Sequence, residues 1–208
     1  MSKQTPAQQN DYHHGNLKQA LIEETARILR EEGESALSLR RLAASLGVSR
    51  TAPYNHFKNK EALLAAVAEE GFRRFENTMR SVRKKYGNSS GIELTRRLVH
   101  AYVKFAMSNQ EYYDLMYARK SWRAGATNES LAATARLTLR RDIARLQRLQ
   151  ESGLIDSELD VAQFGRIWWG TLHGISRLSL DGVYSNPASL RKLCDKTADM
   201  LWQQMDPS

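Results

Sequence analysis

Ser38 to Lys60 read SLRRLAASLGVSRTAPYNHFKNK, two short amphipathic segments on either side of Gly47. Leu39, Leu42, Ala43 and Leu46 recur at i, i+3, i+4 and i+7, which is one apolar stripe on a short helix with Ser38 placed as its N-cap. Gly47 ends that helix, because glycine tolerates the left-handed conformation of a C-cap, and Val48 then folds back onto it. Ser49 is placed to N-cap a second helix, anchored by Tyr54 and Phe57. Ala43 is small where the two helices must approach. A helix, a glycine turn and a second helix at a fixed angle form a unit that lays its second helix in the major groove of DNA.

Charge agrees with that reading. The 208 residues carry a formal net charge of +8, which favours an anionic partner without naming it. From Ser35 to Lys60 the basic residues are Arg40, Arg41, Arg50, Lys58 and Lys60, with no Asp or Glu among them. Positive charge is therefore concentrated on the motif. Cys194 is the single cysteine, which excludes an internal disulfide framework and suits a reducing compartment. The N-terminus MSKQTPAQQND lacks an apolar segment and no stretch approaches a membrane span, so a soluble, cytoplasmic protein is expected.

Helical periodicity continues along nearly the whole chain, which predicts an all-α fold in two domains. Residues 1–15 are polar and read as a flexible tail. Residues 16–60 form the helix-turn-helix domain: a first helix from Asn16 to Glu32, stopped by Gly33, and then the motif. Residues 61–86 form a connecting helix carrying Leu64, Val67, Gly71, Phe72, Phe75, Met79 and Val82. Gly87-Asn88-Ser89-Ser90-Gly91 breaks it and opens a C-terminal domain, residues 87–208. There, helices are expected at about 92–107, 110–119, 128–151, 161–181 and 187–204. Asp160 with Gln163 makes a capping-box-like start, and Asn186-Pro187 puts a cap before a proline at N1.

The motif resembles the helix-turn-helix of the TetR family of bacterial transcriptional regulators. Ser38, Leu42-Ala43, Gly47-Val48-Ser49, Tyr54, Phe57 and Lys60 fit its pattern in register, and Tyr12 to Leu21, YHHGNLKQAL, is an opening common in one branch. Pro53 departs from the commoner apolar residue. At N4 it predicts a recognition helix that starts one residue later or is locally distorted. Arg50 and Thr51, on the first turn of that helix, are candidates for base readout, Arg50 foremost because a guanidinium can donate twice to guanine. The resemblance implies phosphate contacts from Tyr54, His56 and Lys60. Asn55 is a candidate for an adenine or a backbone oxygen, Ser49 caps the helix at the same surface, and Arg40 and Arg41 flank the groove. For each, the plain alternative is a solvated polar residue.

In the C-terminal half, Trp169, His173 and Gly174 make the WxxxHG pattern of one C-terminal domain type of the TetR family. The resemblance implies a homodimer in which the last two helices pack against their copies as a four-helix bundle. Phe164, Ile167, Trp168, Thr171, Ile175 and Leu178 on one helix, and Leu190, Leu193, Cys194, Thr197, Met200 and Leu201 on the other, supply the stripes for it; the alternative is intrachain core. Tyr102, Phe105, Met107, Tyr112, Tyr113, Met116, Tyr117, Trp122 and Trp168 or Trp169 are enough aromatic and sulfur groups to line a pocket for a small apolar effector, with His173 as a polar partner. Most such residues at helical spacing are ordinary core.

Enzymatic readings lack residues. His13, His14, His56, His100 and His173 are scattered, and neither a zinc-type companion for the cysteine nor a GxSxG elbow nor a phosphate-cradling glycine loop occurs. No cofactor and no metal is expected. The arginines at 136, 140, 141, 145 and 148 read as a solvated helix face. The sequence therefore points to a homodimeric regulator of a pseudo-palindromic operator, most simply a repressor released by a small ligand. A ligand-independent or architectural DNA-binding protein is the alternative, and an enzyme or protein-interaction module on a helical bundle is more remote.

Overall fold

In the computed structural model, residues 17–89, 91–118 and 129–207 are described. All regular structure among them is helical, as expected. The tail, His13, His14, Asn16 and Trp122 lie outside them. The chain divides into two compact units, one up to Glu70 and one from Gly71.

In the first unit, α1 (Leu17–Glu32) turns Leu21, Ile22, Thr25 and Ile28 inward. The Thr25 hydroxyl is satisfied in the core by donating to the Leu21 carbonyl at 2.6 Å. Gly33, at φ 81°, stops the helix. The helix α2 (Leu39–Ser45) begins where the Ser38 hydroxyl accepts the Arg41 amide at 3.1 Å. It ends in a Schellman motif: the Gly47 amide donates to Ala44 at 3.2 Å and the Val48 amide to Ala43 at 3.0 Å, with Gly47 at φ 67°.

The second helix of the motif departs from expectation. In place of an α-helix capped by Ser49 there is a 3₁₀ turn, Ala52–Asn55. Pro53 is the cause. It has no amide to donate to the Ser49 carbonyl, which accepts the Ala52 amide at 3.0 Å instead, and the Tyr54 amide then reaches only to Thr51, at 3.0 Å. Ser49 caps nothing; its hydroxyl lies 3.2 Å from that of Thr51. The anchors also change, because Pro53 and Phe57 are buried while Tyr54 is 55% exposed. The long helix α3 (Lys60–Tyr86) follows, with Asn59 accepting the Ala62 amide at 2.9 Å.

The second unit contains the rest of α3 with α4 (Gly91–Ser108), α5 (Gln110–Met116), α6 (Glu129–Glu151), α7 (Val161–Leu180) and α8 (Pro187–Gln203). Asp160 accepts the Ala162 and Gln163 amides at 3.1 and 2.9 Å, and Asn186 accepts those of Ala188 and Ser189 at 2.9 and 3.0 Å, so both caps read from sequence form. The helix α4 packs against α7 and α8, and α6 against α7. Val99, Tyr113, Met116, Leu131, Leu172 and Ala198 are fully buried among them.

Candidate functional site

The turn after α2 holds Arg50, Thr51, Tyr54, Asn55 and His56 on the surface, beside the exposed Arg40 of α2. The basic stretch is less free than its linear sequence suggests. Arg41 donates to both Glu32 carboxylate oxygens at 2.6 and 2.7 Å, and the Lys60 ammonium donates to the Glu34 carbonyl at 2.9 Å with that residue's carboxylate 3.4 Å away. Both acids lie just upstream of the acid-free window, and the fold brings them back onto it. Arg40, Arg50 and Lys58 make no ion pair among the described residues, so they are the charges left for an anionic partner.

In the second unit, Tyr102 of α4, Tyr113 of α5, Tyr117 just beyond it, and Trp169 and His173 of α7 join in one polar aromatic knot. The Tyr113 hydroxyl lies 2.8 Å from His173 Nδ1, Trp169 Nε1 donates to the Tyr117 hydroxyl at 2.8 Å, and the Tyr102 hydroxyl is 3.4 Å from each of the other two tyrosines. Burial pushes the Tyr113 phenol up to about 12 and raises Tyr102 and Tyr117 as well. Burial also lowers His173, with the Arg177 charge adding to the effect. The knot is therefore neutral near pH 7.

Beside the knot lies a cavity of about 300 Å³. Tyr102, Trp168 and Trp169 line it. Phe105, Tyr113, Met116, Tyr117 and His173, expected there from sequence, do not line it: Tyr117 and His173 are half-buried in the knot, while Tyr113 is packed core, Phe105 stacks edge-on against Phe75 at 5.4 Å between centroids, and Met116 fills the space over Gly71, where a Cβ would lie 2.8 Å from its sulfur. The remaining wall comes from residues the sequence did not assign, including Phe75, Met79 and Arg83 of α3, Leu94 and Leu98 of α4, Leu146 of α6, and Trp202. One end of the cavity is charged. Arg145 donates to Asp142 at 2.5 Å and to the buried Glu76, while Arg83 stands 3.7 Å from Glu76 and 3.9 Å from Asp142.

Residues 95–201 match the family model described as tetracyclin repressor-like, C-terminal domain, just over half of the chain, and residues 21–67 match that of the bacterial regulatory proteins, tetR family. The chain belongs to the TetR family. Relatives of this TetR-family protein include YobS of Bacillus subtilis, named an uncharacterized HTH-type transcriptional regulator, 31% identical over 101 residues, which is 48% of this chain and 51% of YobS. The tetracycline repressor protein class C of Escherichia coli is 48% identical over 52 residues, 25% of this chain and 24% of that protein. The chain spans 51% and 59% of the length of the first curated relatives it matches. Among solved structures, a protein of unknown function from Rhodococcus sp. RHA1 aligns with a TM-score of 0.80 at 29% identity, covering 95% of this chain and 99% of that one. The fatty acid degradation regulator FadR from Bacillus halodurans aligns with a TM-score of 0.65 at 18% identity, covering 96% of each, and so shares the fold. DNA-binding transcriptional regulation is the function of this family. The C-terminal model that matches does not single out the WxxxHG branch.

For this TetR-family chain the expected dimer residues divide into three groups. Phe164, Ile175, Cys194, Thr197 and Leu201 are buried within the unit itself, which corrects their assignment to an outward face. Burial, with the Asp195 charge second, accordingly pushes the Cys194 thiol up to about 11. Trp168 lines the cavity. Ile167, Thr171, Leu190 and Leu193 keep surface exposure, and Leu178, Val183, Tyr184 and Met200 are exposed with them. Periodicity marks α7 and α8 as broadly apolar, but not which side of each the protein's own core takes.

Proposed function

We propose that the protein is a homodimeric repressor that holds a pseudo-palindromic operator through residues 38–60 of each protomer and releases it when a small, largely apolar ligand enters the second unit. The observation that carries the reading is the cavity of about 300 Å³, at the lower end of ligand pockets. A helix-turn-helix alone would equally suit a ligand-independent binder. Arg50 reads a base edge; Tyr54, His56, Arg40 and one remaining donor of Lys60 take phosphates; Thr51 and Asn55 share the groove surface. Arg41 and Lys60 also hold the motif together through Glu32 and Glu34.

The dimer closes over the exposed Ile167, Leu178 and Met200 and the half-exposed Thr171, Leu190 and Leu193, apolar groups that two helices leave for a second copy to cover. Gly170 and Gly174 lie on the same side of α7, and a Cβ at either would have nothing within 4 Å, which leaves room for a partner helix.

Fluorescence anisotropy with DNA flanking the protein's own gene tests the reading at fixed salt. Saturable, sequence-selective binding that a small apolar compound relieves about 5–150-fold, the usual range of allosteric coupling, is expected. Binding without sequence preference would overturn the regulator. Selective binding indifferent to every compound bound by the cavity would leave the ligand-independent alternative.

A further inference from the structure

Among the described residues, the charged end of the cavity holds one cation without a hydrogen-bonded partner. Arg145 occupies the acids, donating to Asp142 at 2.5 Å and to Glu76. Arg83 lines the same cavity but sits 3.7 and 3.9 Å from those carboxylates, beyond hydrogen-bond reach, and its Nη2 is buried with no hydrogen-bond partner among the described residues. A buried donor left unpaired is an uncommon and costly arrangement, and costlier still on a charged group. The walls leading to it are Phe75, Met79, Leu98, Leu146 and Trp169, which suit hydrocarbon rather than a polar solute.

We infer that the ligand of this cavity is an amphipathic anion, a carboxylate on an apolar body, with Arg83 as its anchor. The inference rests on the reading of the cavity as the effector site and names the chemistry of its occupant. The carboxylate enters head first, turns the Arg83 guanidinium from its position between Glu76 and Asp142, and accepts from it; about a quarter of that side chain is still exposed for the encounter. The apolar body then lies along the tryptophan and leucine walls. The surroundings of Arg83 favour this occupant. Burial, with the Arg145 charge second, depresses its guanidinium below the ordinary value although Asp142 and Glu76 act the other way, so an arriving anion adds stabilisation that the charge lacks.

Trp168, Trp169 and Trp202 line the cavity and report occupancy by fluorescence. Titrating the full-length protein with decanoate, decan-1-ol and decylamine near pH 7.5 separates the possibilities, because the three share a chain and differ in the head. Decanoate should bind at least tenfold more tightly than decanol. Arg83→Met, which keeps the stem and removes the charge, should erase that margin while changing decanol affinity less than threefold. Asp142→Asn, which removes a competing negative charge, should strengthen decanoate. Equal binding of decanoate and decanol by the wild-type protein overturns the anion while leaving the cavity as a ligand site. Tightest binding of decylamine does the same and makes the acids the anchor. No binding of any of the three overturns both this inference and the effector reading on which it rests.

Discussion

Arg50 and Arg41 are both arginines of the helix-turn-helix, and their surroundings give them different work. Arg50 is exposed with no ion pair among the described residues, whereas Arg41 is forked onto Glu32 at 2.6 and 2.7 Å. Arg50→Ala should therefore cost about 1–3 kcal/mol of operator binding and relax base preference at one position of each half-site. Arg41→Ala should cost up to about 1 kcal/mol of fold stability, the range of an exposed pair, and leave base preference intact. Anisotropy titrations against single-base operator variants, paired with thermal melts, check the contrast; loss of preference in Arg41→Ala and not in Arg50→Ala would reverse the two roles. His173 behaves differently again. Burial against Tyr113 and Tyr117 holds its imidazole below the ordinary 6.5, so as pH falls through that value the unfolded chain takes up a proton that the native state refuses. Stability is full above about pH 6.5 and falls with acidification until the native imidazole itself protonates. Melting temperatures between about pH 8 and pH 5 should decline less steeply for His173→Gln than for the wild type, and parallel curves would remove His173 as the cause.

At the scale of elements, Gly47 carries the clearest conformational requirement. Its φ of 67° closes the Schellman motif that ends α2, and a Cβ there would have nothing within 4 Å, so substitution acts through backbone strain alone. Gly47→Ala should cost about 1–2 kcal/mol, visible as a lower thermal or urea midpoint, with Gly47→Asn milder because asparagine visits the left-handed region more readily. An alanine variant as stable as the wild type would show that the turn adopts another geometry. Features of this local kind were legible in the sequence. Ser38, Gly47, Asp160 and Asn186 act within a few residues of themselves, and the element boundaries followed from them. What the sequence left open depends on contacts distant along the chain. Pro53 announced a distortion but not its extent, because a 3₁₀ turn and a shifted α-helix differ only in which carbonyl is satisfied. Glu32 and Glu34 lie outside the basic window yet neutralise part of it. Phe105, Tyr113 and Met116 share the composition of a pocket wall, and only their packing against neighbouring helices separates them from Tyr102 and Trp169, which line the cavity.

At the scale of the whole molecule, the proposed function depends on two copies acting as one, because a two-fold protein on a pseudo-palindrome would gain its second half-site at high effective concentration. Gly174 offers a clean way to separate assembly from folding. It lies in the interior of α7 with nothing from the other described residues within 4 Å of a Cβ built upon it, so a first side-chain atom there meets no clash among them, and replacing a helical glycine removes its entropic penalty of about 0.5–1 kcal/mol. Gly174→Glu should therefore keep the helical circular dichroism and the melting behaviour of a folded protomer. What it should lose is the partner, since a carboxylate would be buried unpaired among Ile167, Leu178 and their copies. Light scattering should report twice the 23.7 kDa chain mass for the wild type and the chain mass itself for the variant at micromolar concentration. Operator affinity should then fall about 10²–10⁴-fold, while binding to an isolated half-site stays within a few-fold of the wild type. A variant that remains dimeric and holds the operator undiminished would place the assembly surface elsewhere than on α7.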